Sequence, residues 1–215
     1  AEIEVIEPYH SYYISNKDSY IAEPFSIEGD ASSATYFWAA AAITGGKITV
    51  SNLSFDSLQG DIKFLYLLEE MGCRISRHDA IIEIQGGHLH GIDVDMNDIP
   101  DCVPAMAIVA AFAEGETTIS NVAHLHFKES DRLRVLGEQL NKLGTKVQVL
   151  KDGLVIHPQK MHGARIETYN DHRIAMSFAV AGLRVPGIEI INPKCVTKSF
   201  PNFWDEFNKL EESEI

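Results

Sequence analysis

The chain has 215 residues, 45% hydrophobic and 23% charged, with a formal net charge of −13. That is ordinary globular composition with enough length to bury a sizeable core, and its acidity argues against nucleic acid or an anionic membrane as the main partner. No apolar run reaches the roughly 18 residues that a membrane-spanning helix needs.

In chain order, residues 1–27 read as a strand pair, Ile3 to Ser15, and a connector punctuated by Pro24. They lack the basic start and apolar centre of a signal peptide. Ser32–Ile43 is predicted as a buried helix, with Asp30 or Ser32 near its N-cap. Gly45-Gly46 ends it, and Lys47–Asn52 follows as a strand. Asp61–Met71, apolar at Ile62, Phe64, Leu65 and Leu68 and stopped by Gly72, is an amphipathic helix. Arg74–Ile84 closes the set as a hairpin. The same order then recurs as helix Val103–Ala113, strand Thr117–Asn121, helix Asp131–Leu143 with Gly144 as its stop, and hairpin Thr145–His157. A third pass gives helix His172–Leu183, strand Ile188–Ile191 and helix Phe203–Leu210, with a frayed acidic tail, Glu211–Ile215.

Strands alternating with helices make the chain α/β. Asp30, Asp101 and Asp171 each precede an alanine-rich helix and lie 71 and 70 residues apart. The strands that follow end in Asn52, Asn121 and Asn192. Ala34–Ile43 and Val103–Ala113 carry no charge, and a helix apolar all round is a buried one. The expected architecture is a pseudo-three-fold repeat, units about 28–98, 99–168 and 169–210, with buried central helices and outer sheets. The third unit is incomplete, and a repeat unit cannot bury its apolar face alone. The sequence therefore reads as a piece of a longer protein, its opening hairpin and connector (1–27) left from a preceding domain.

Cys73, Cys102 and Cys195 form no CxxC pair, and a reduced cytosolic chain is the simplest reading. The nine histidines fall into no recognisable metal spacing. Unusual polar residues concentrate in Ile99-Pro-Asp101, Lys128-Glu-Ser-Asp-Arg132, Asn170-Asp-His-Arg173 and Pro193-Lys-Cys-Val-Thr-Lys-Ser-Phe200. All four fall in loops at element ends, where function concentrates on a rigid scaffold. Arg132 and Arg173 can grip phosphate or carboxylate through two parallel hydrogen bonds. Lys128 and Lys198 add point charges, and helix N-termini add oriented N–H groups. Asp101 and Glu129 can serve as general bases. The plainer readings stand beside these: Asp101 and Asp171 as N-caps, Lys128–Arg132 as a solvated helix start, and His172 as a packed or capping side chain.

The motifs Gly29-Asp-Ala-Ser-Ser-Ala-Thr-Tyr-Phe37, Gln59-Gly-Asp61, Met96-Asn-Asp-Ile-Pro-Asp101, Lys128-Glu-Ser-Asp-Arg-Leu133, Thr168-Tyr-Asn-Asp-His-Arg173 and Pro193-Lys-Cys…Lys198-Ser-Phe-Pro201 occur in this order. Together they closely resemble the C-terminal part of the 5-enolpyruvylshikimate-3-phosphate synthases (3-phosphoshikimate 1-carboxyvinyltransferases), from about residue 3 to 210. The resemblance implies two similar domains of three βαβαββ units each, an inside-out α/β barrel with the active site between domains. It implies a cytoplasmic shikimate-pathway transferase of the class that glyphosate targets. Such an enzyme moves the enolpyruvyl group of phosphoenolpyruvate to the 5-hydroxyl of shikimate-3-phosphate, without metal or organic cofactor. Carried over by motif, Asp101 would accept the hydroxyl proton, Glu129 would move a proton at the methylene carbon, and Lys198 would contact phosphoenolpyruvate and assist proton transfer. Arg132 and Arg173 would clamp phosphoenolpyruvate, Lys128 would contact shikimate-3-phosphate, and His172 would support the phosphate site.

The resemblance also marks two departures. His124 stands where the family commonly has an asparagine that contacts shikimate-3-phosphate. Imidazole titrates near neutrality, so pH-dependent substrate binding is the expectation. The family's N-terminal anion-binding groups have no counterpart here, so the chain by itself is expected to be nearly inactive and to need the N-terminal domain as its partner. The alternatives are the sister enzyme acting on UDP-N-acetylglucosamine, which the Lys-Glu-Ser-Asp-Arg and Asn-Asp-His-Arg motifs fit poorly, and a module that only binds shikimate-3-phosphate.

Overall fold

The computed structural model describes residues 3–17, 19 and 21–212, without the side chains of Glu211 and Glu212. The chain opens on β1 (Ile3–Glu7) and β2 (Ser11–Ile14), an antiparallel hairpin that forms a sheet of its own. Its apolar side chains point to water on both faces, Ile3, Val5, Tyr12, Tyr13 and Ile14 among them.

The first unit holds α1 (Ala31–Thr44), β3 (Lys47–Ser51), α2 (Lys63–Glu70), β4 (Arg74–His78) and β5 (Ile81–Gln85). The second holds β6 (Asp93–Asp95), α3 (Val103–Ala111), β7 (Thr117–Ser120), α4 (Arg132–Leu143), β8 (Lys146–Val149) and β9 (Leu154–His157). The third holds β10 (Arg165–Glu167), α5 (His172–Gly182), β11 (Glu189–Ile191) and α6 (Phe203–Glu212). The sheets run β3-β5-β4, β6-β7-β9-β8 and β10-β11. In the second unit β6 runs parallel to β7 and the β8–β9 hairpin adds beyond it, while β10 and β11 repeat only the parallel pair. Among the described residues no strand follows α6. None precedes α1 as β6 precedes α3; there the Gly29 N–H donates to the Asn52 carbonyl as coil.

The central helices α1, α3 and α5 pack against one another pairwise. Their alanines make this close approach possible: Ala39–Ala42 on α1, Ala105, Ala107, Ala110 and Ala111 on α3, and Ala175, Ala179 and Ala181 on α5 are all buried. Every residue of α3 is buried, as its charge-free sequence requires. The outer helices α2 and α4 turn their apolar sides inward, Phe64, Leu65 and Leu68 on one and Leu133, Val135, Leu136, Leu140 and Leu143 on the other, and α4 also buries Arg132 and Gln139. Gly45 and Gly144 stop α1 and α4 in the left-handed conformation, φ 76° and 103°, a position glycine reaches without a Cβ clash.

Several predicted boundaries shift by a residue or two. Gly60–Ile62 is a 3-10 turn leading into α2, and α3 ends at Ala111, two residues early. The tail places Glu211 and Glu212 in α6, while residues 213–215 lie outside the described ones. The short strands β6 and β10 are additions to the sequence reading. Asn52, Asn121 and Asn192 all adopt left-handed backbone, φ 59°, 60° and 56°. Their side-chain amides donate to Ile27, Asp95 and Asn170 respectively, each just ahead of its unit's central helix.

Candidate active site

The starts of α3 and α5 and the loops before α4 and α6 meet at one end of the central helices, and all four polar motifs come together there. Asp171 is the N-cap of α5, its Oδ1 accepting the Arg173 N–H at 2.9 Å. The two residues before it, Tyr169 and Asn170, are both left-handed, φ 51° and 60°. The Tyr169 hydroxyl donates to Glu138 at 3.1 Å and Asn170 accepts from Asn192 at 3.0 Å, so this strained turn is held on both sides.

Asp101 does not cap α3. It lies in a 3-10 turn, Pro100–Cys102, and no side chain caps this start among the described residues. The helix needs little capping here. Pro104 brings no N–H, and the Cys102 N–H already donates to the Ile99 carbonyl. The Asp101 carboxylate is thus left to face its neighbours. Arg132 Nη1 lies 2.8 Å from Oδ1, Arg173 Nη2 3.0 Å from Oδ2, and Lys128 Nζ 3.4 Å from Oδ1.

Arg132 opens α4 and is the hub of the site. Its side chain is 1% exposed, so its five N–H donors must be answered within the protein. Nε donates to Asp171 Oδ2 at 2.9 Å, Nη1 to Asp101 at 2.8 Å and Nη2 to Glu129 Oε2 at 2.7 Å. Ser130 donates its hydroxyl to the same Asp171 oxygen. The run Lys128–Arg132 is therefore not a solvated helix start: its last residue is buried against three carboxylates. Asp131 is the true N-cap, accepting the Arg134 N–H. Lys198 ends the 3-10 helix Pro193–Lys198 and pairs with Glu129 Oε1.

These pairings set the titration of the carboxylates. Burial would raise Glu129, but the hydrogen bond from Lys198 and the charge of Arg132 outweigh it and hold the group at about 2. Asp101 is likewise held below its ordinary value: partial burial opposes the shift, and Arg173, Arg132 and Lys128 overcome it. His172 is 3% exposed, and burial together with the Arg173 charge lowers its pKa, so its ring is neutral at pH 7. Its Nδ1 is buried without a hydrogen-bond partner among the described residues, 3.9 Å from the Asp171 carboxylate. His124 sits on the 3-10 helix Ala123–Phe127, half-buried, outside this network of pairs among the described residues.

The structure thus brings Asp101, Lys128, Glu129, Arg132, His172, Arg173 and Lys198 into one cluster. It adds groups the sequence reading left out. Asp171 is a buried partner of Arg132 as well as a cap. Tyr36 on α1 receives a hydrogen bond from Arg173 Nη1 at 3.4 Å. Gln59 bonds Gly29 and Ala31 at the start of α1, and Asp61 accepts the Ser32 hydroxyl. The traces in sequence are slight: a hydroxyl-bearing Tyr36 inside a charge-free helix, and the Gln59-Gly-Asp61 string. Lys128, Arg132, Arg173 and Lys198 gather four cations in one place on an acidic chain, a cluster suited to phosphate and carboxylate groups. Among the described residues, no three His, Cys, Asp or Glu side chains are grouped to hold a metal ion.

Comparison with known proteins points the same way. Residues 1–207 match the family model of EPSP synthase (3-phosphoshikimate 1-carboxyvinyltransferase). A 3-phosphoshikimate 1-carboxyvinyltransferase of Syntrophobacter fumaroxidans is 50% identical over 195 residues, 89% of this chain and 46% of that protein. One from Methanoregula boonei is 47% identical over 207 residues, 96% of this chain and 49% of that protein. The solved EPSP synthase of Acinetobacter baumannii superposes with a TM-score of 0.77 at 33% identity, covering 85% of this chain and 46% of that one. The chain spans about half the length of the curated relatives it matches. On sequence and on fold, the chain belongs to the EPSP synthase (3-phosphoshikimate 1-carboxyvinyltransferase) family.

Proposed function

We propose that this chain supplies one half of the active site of a 3-phosphoshikimate 1-carboxyvinyltransferase. The intact enzyme transfers the enolpyruvyl group of phosphoenolpyruvate to the 5-hydroxyl of shikimate-3-phosphate and releases phosphate. The observation that carries this reading is the cluster of Lys128, Arg132, Arg173 and Lys198 around Asp101 and Glu129 at the starts of α3, α4 and α5. Residues 28–215 are the transferase domain and 1–27 belong with the other domain, a division supported by the exposure of both faces of the β1–β2 hairpin. The location is cytoplasmic, in keeping with three free cysteines.

Asp101 takes the proton of the 5-hydroxyl as its oxygen adds to C2 of phosphoenolpyruvate, and the methylene carbon gains a proton. The ketal formed then expels phosphate and returns a proton from the methyl group. Glu129 and Lys198, already joined, are the pair placed for those two transfers. A Glu129 held at about 2 is a weak base. An incoming phosphate that draws Lys198 away removes its strongest stabilising partner, so substrate binding itself raises the basicity of Glu129. Arg173 and Lys128 take the anionic groups with support from neutral His172, and His124 contacts shikimate-3-phosphate. Arg132 joins the phosphoenolpyruvate clamp only by giving up a carboxylate.

The test is phosphate release from phosphoenolpyruvate plus shikimate-3-phosphate, by this chain alone and with the other half supplied. Turnover only on complementation is expected, because a tetrahedral transition state needs groups on both sides. Calorimetric titration with shikimate-3-phosphate, against UDP-N-acetylglucosamine as control, checks the substrate. Tighter binding of the nucleotide sugar would overturn the assignment.

A further inference from the structure

Arg173 comes from the third unit, and its guanidinium is held by one group from each of the other two. Asp101 of the second unit takes Nη2 at 3.0 Å, and the Tyr36 hydroxyl of the first accepts from Nη1 at 3.4 Å. The Arg173 side chain is 13% exposed, so a narrow face is left for a ligand. The two holders differ in kind. A carboxylate neutralises the arginine and competes with an anionic ligand for its charge. A neutral hydroxyl fixes the plane of the fork and leaves the charge available.

Tyr36 is built to stay neutral and to stay still. It is 1% exposed, and burial pushes its hydroxyl pKa up despite the opposing charge of Arg173. Its ring meets Phe203 edge-on, centroids 6.1 Å apart at 81°. Phe203 in turn packs on Phe200 and stacks on Phe207 at 5.1 Å. That aromatic group lies directly after Lys198 in sequence, so the ring that steadies Arg173 rests on the floor of the Lys198 loop.

We propose that Tyr36 is a positioning residue that fixes the guanidinium of Arg173 through its neutral hydroxyl. This rests on the reading of Arg173 as an anion ligand only for its consequence: the plane so fixed is the one offered to a phosphate or carboxylate of the substrate. The proposal concerns orientation, so its readout is the motion of one side chain.

The test uses Tyr36→Phe, which keeps the ring and its contact with Phe203 and deletes only the hydroxyl. Rotation of the Arg173 guanidinium is followed by side-chain nitrogen NMR, assigned through Arg173→Lys. Rotation about tenfold faster in Y36F is expected for a lost hydrogen bond to a charged group. Phosphoenolpyruvate affinity should then fall by about three- to tenfold, with kcat of the complemented enzyme changed less than about twofold, and with no further loss when Y36F is added to R173K. Unchanged rotation in folded Y36F overturns the proposal. Faster rotation with no response of Arg173 to phosphoenolpyruvate in the unsubstituted protein upholds the positioning and removes the anion-ligand reading. If Y36F does not fold, Asp101→Asn takes its place. A guanidinium still held by Tyr36 keeps slow rotation there, and free rotation refutes the proposal.

Discussion

At the start of α1, Asp30 turns its carboxylate back on its own helix and accepts the N–H groups of Ser32 and Ser33. At the start of α3 the matching Asp101 leaves its helix alone and faces Arg132, Arg173 and Lys128. Asp171, at the start of α5, does both: Oδ1 caps the helix, and both of its oxygens accept from Arg132. The same residue in the same place of three repeats thus grades from local capping to chemistry. What sets the grade is how many of the helix's first N–H groups still need an acceptor. Pro100 and Pro104 reduce that number at α3, and a carboxylate without local work is available to a substrate.

Arg132 ties the two inward-facing aspartates together. Arg132→Met should leave Asp171, with a fully buried side chain, facing other carboxylates without their cation. A loss of about 3–5 kcal/mol in denaturant unfolding is expected from removing one partner of a buried ion pair. A loss below about 1 kcal/mol would mean that the hub is dispensable and the aspartates are held by other means.

Asp101→Asn should separate chemistry from capping. Asp101 caps nothing, and asparagine keeps an oxygen acceptor for one of its two arginines, so stability should shift by only about 1 kcal/mol, while turnover of the complemented enzyme falls about a hundredfold or more with the loss of a general base. Asp30→Ala should cost about 1 kcal/mol through its lost cap and leave most of the turnover. Equal turnover losses at the two positions would contradict the distinction between capping and chemistry.

The fold was legible where the sequence carried many redundant signals. Ala34–Ile43 and Val103–Ala113 have no charge, and only a buried helix suits them. Gly45 and Gly144 marked real stops. Strands β6 and β10 were not legible, since three residues are too few to show a period-two pattern. In the site, loop position pointed to the four motifs. Tyr36 and Arg173 are separated by 137 residues, and no local pattern reports that contact. The burial of Arg132 was hidden for a related reason: Lys-Glu-Ser-Asp-Arg looks solvated until the carboxylates from two other loops arrive around it.

Acidification probes the same carboxylates more gently. Glu129, and Asp101 in the same direction, titrate in the folded state below their ordinary values. A depressed folded value means that the contribution of each to stability is complete above its unfolded value and is lost as pH falls through its folded one, for Glu129 from about 4.5 toward about 2. Unfolding free energy measured from pH 7 to 2 should therefore drop through that window. Glu129→Gln should flatten part of the drop, and an unchanged acid limb would show that the Lys198 and Arg132 pairings do not bear on folding.

The smallest effects belong to the positions where the repeats stay alike. Asn52, Asn121 and Asn192 share left-handed backbone and a side-chain hydrogen bond back to the segment ahead of the central helix, with none of the divergence seen among the aspartates. An alanine there must bear a left-handed conformation that costs a non-glycine residue roughly 1–2 kcal/mol, less what asparagine already bears. Each Asn→Ala variant should lose about 1 kcal/mol, and each Asn→Gly variant should lose less, because glycine meets no Cβ penalty. Three equal losses would mean that the repeats share one scaffold joint while their aspartates were free to specialise. If one asparagine proves much costlier than the others, that joint has been drawn into the site, and Asn192, beside the Asn170 turn that leads into Asp171, is where it should appear.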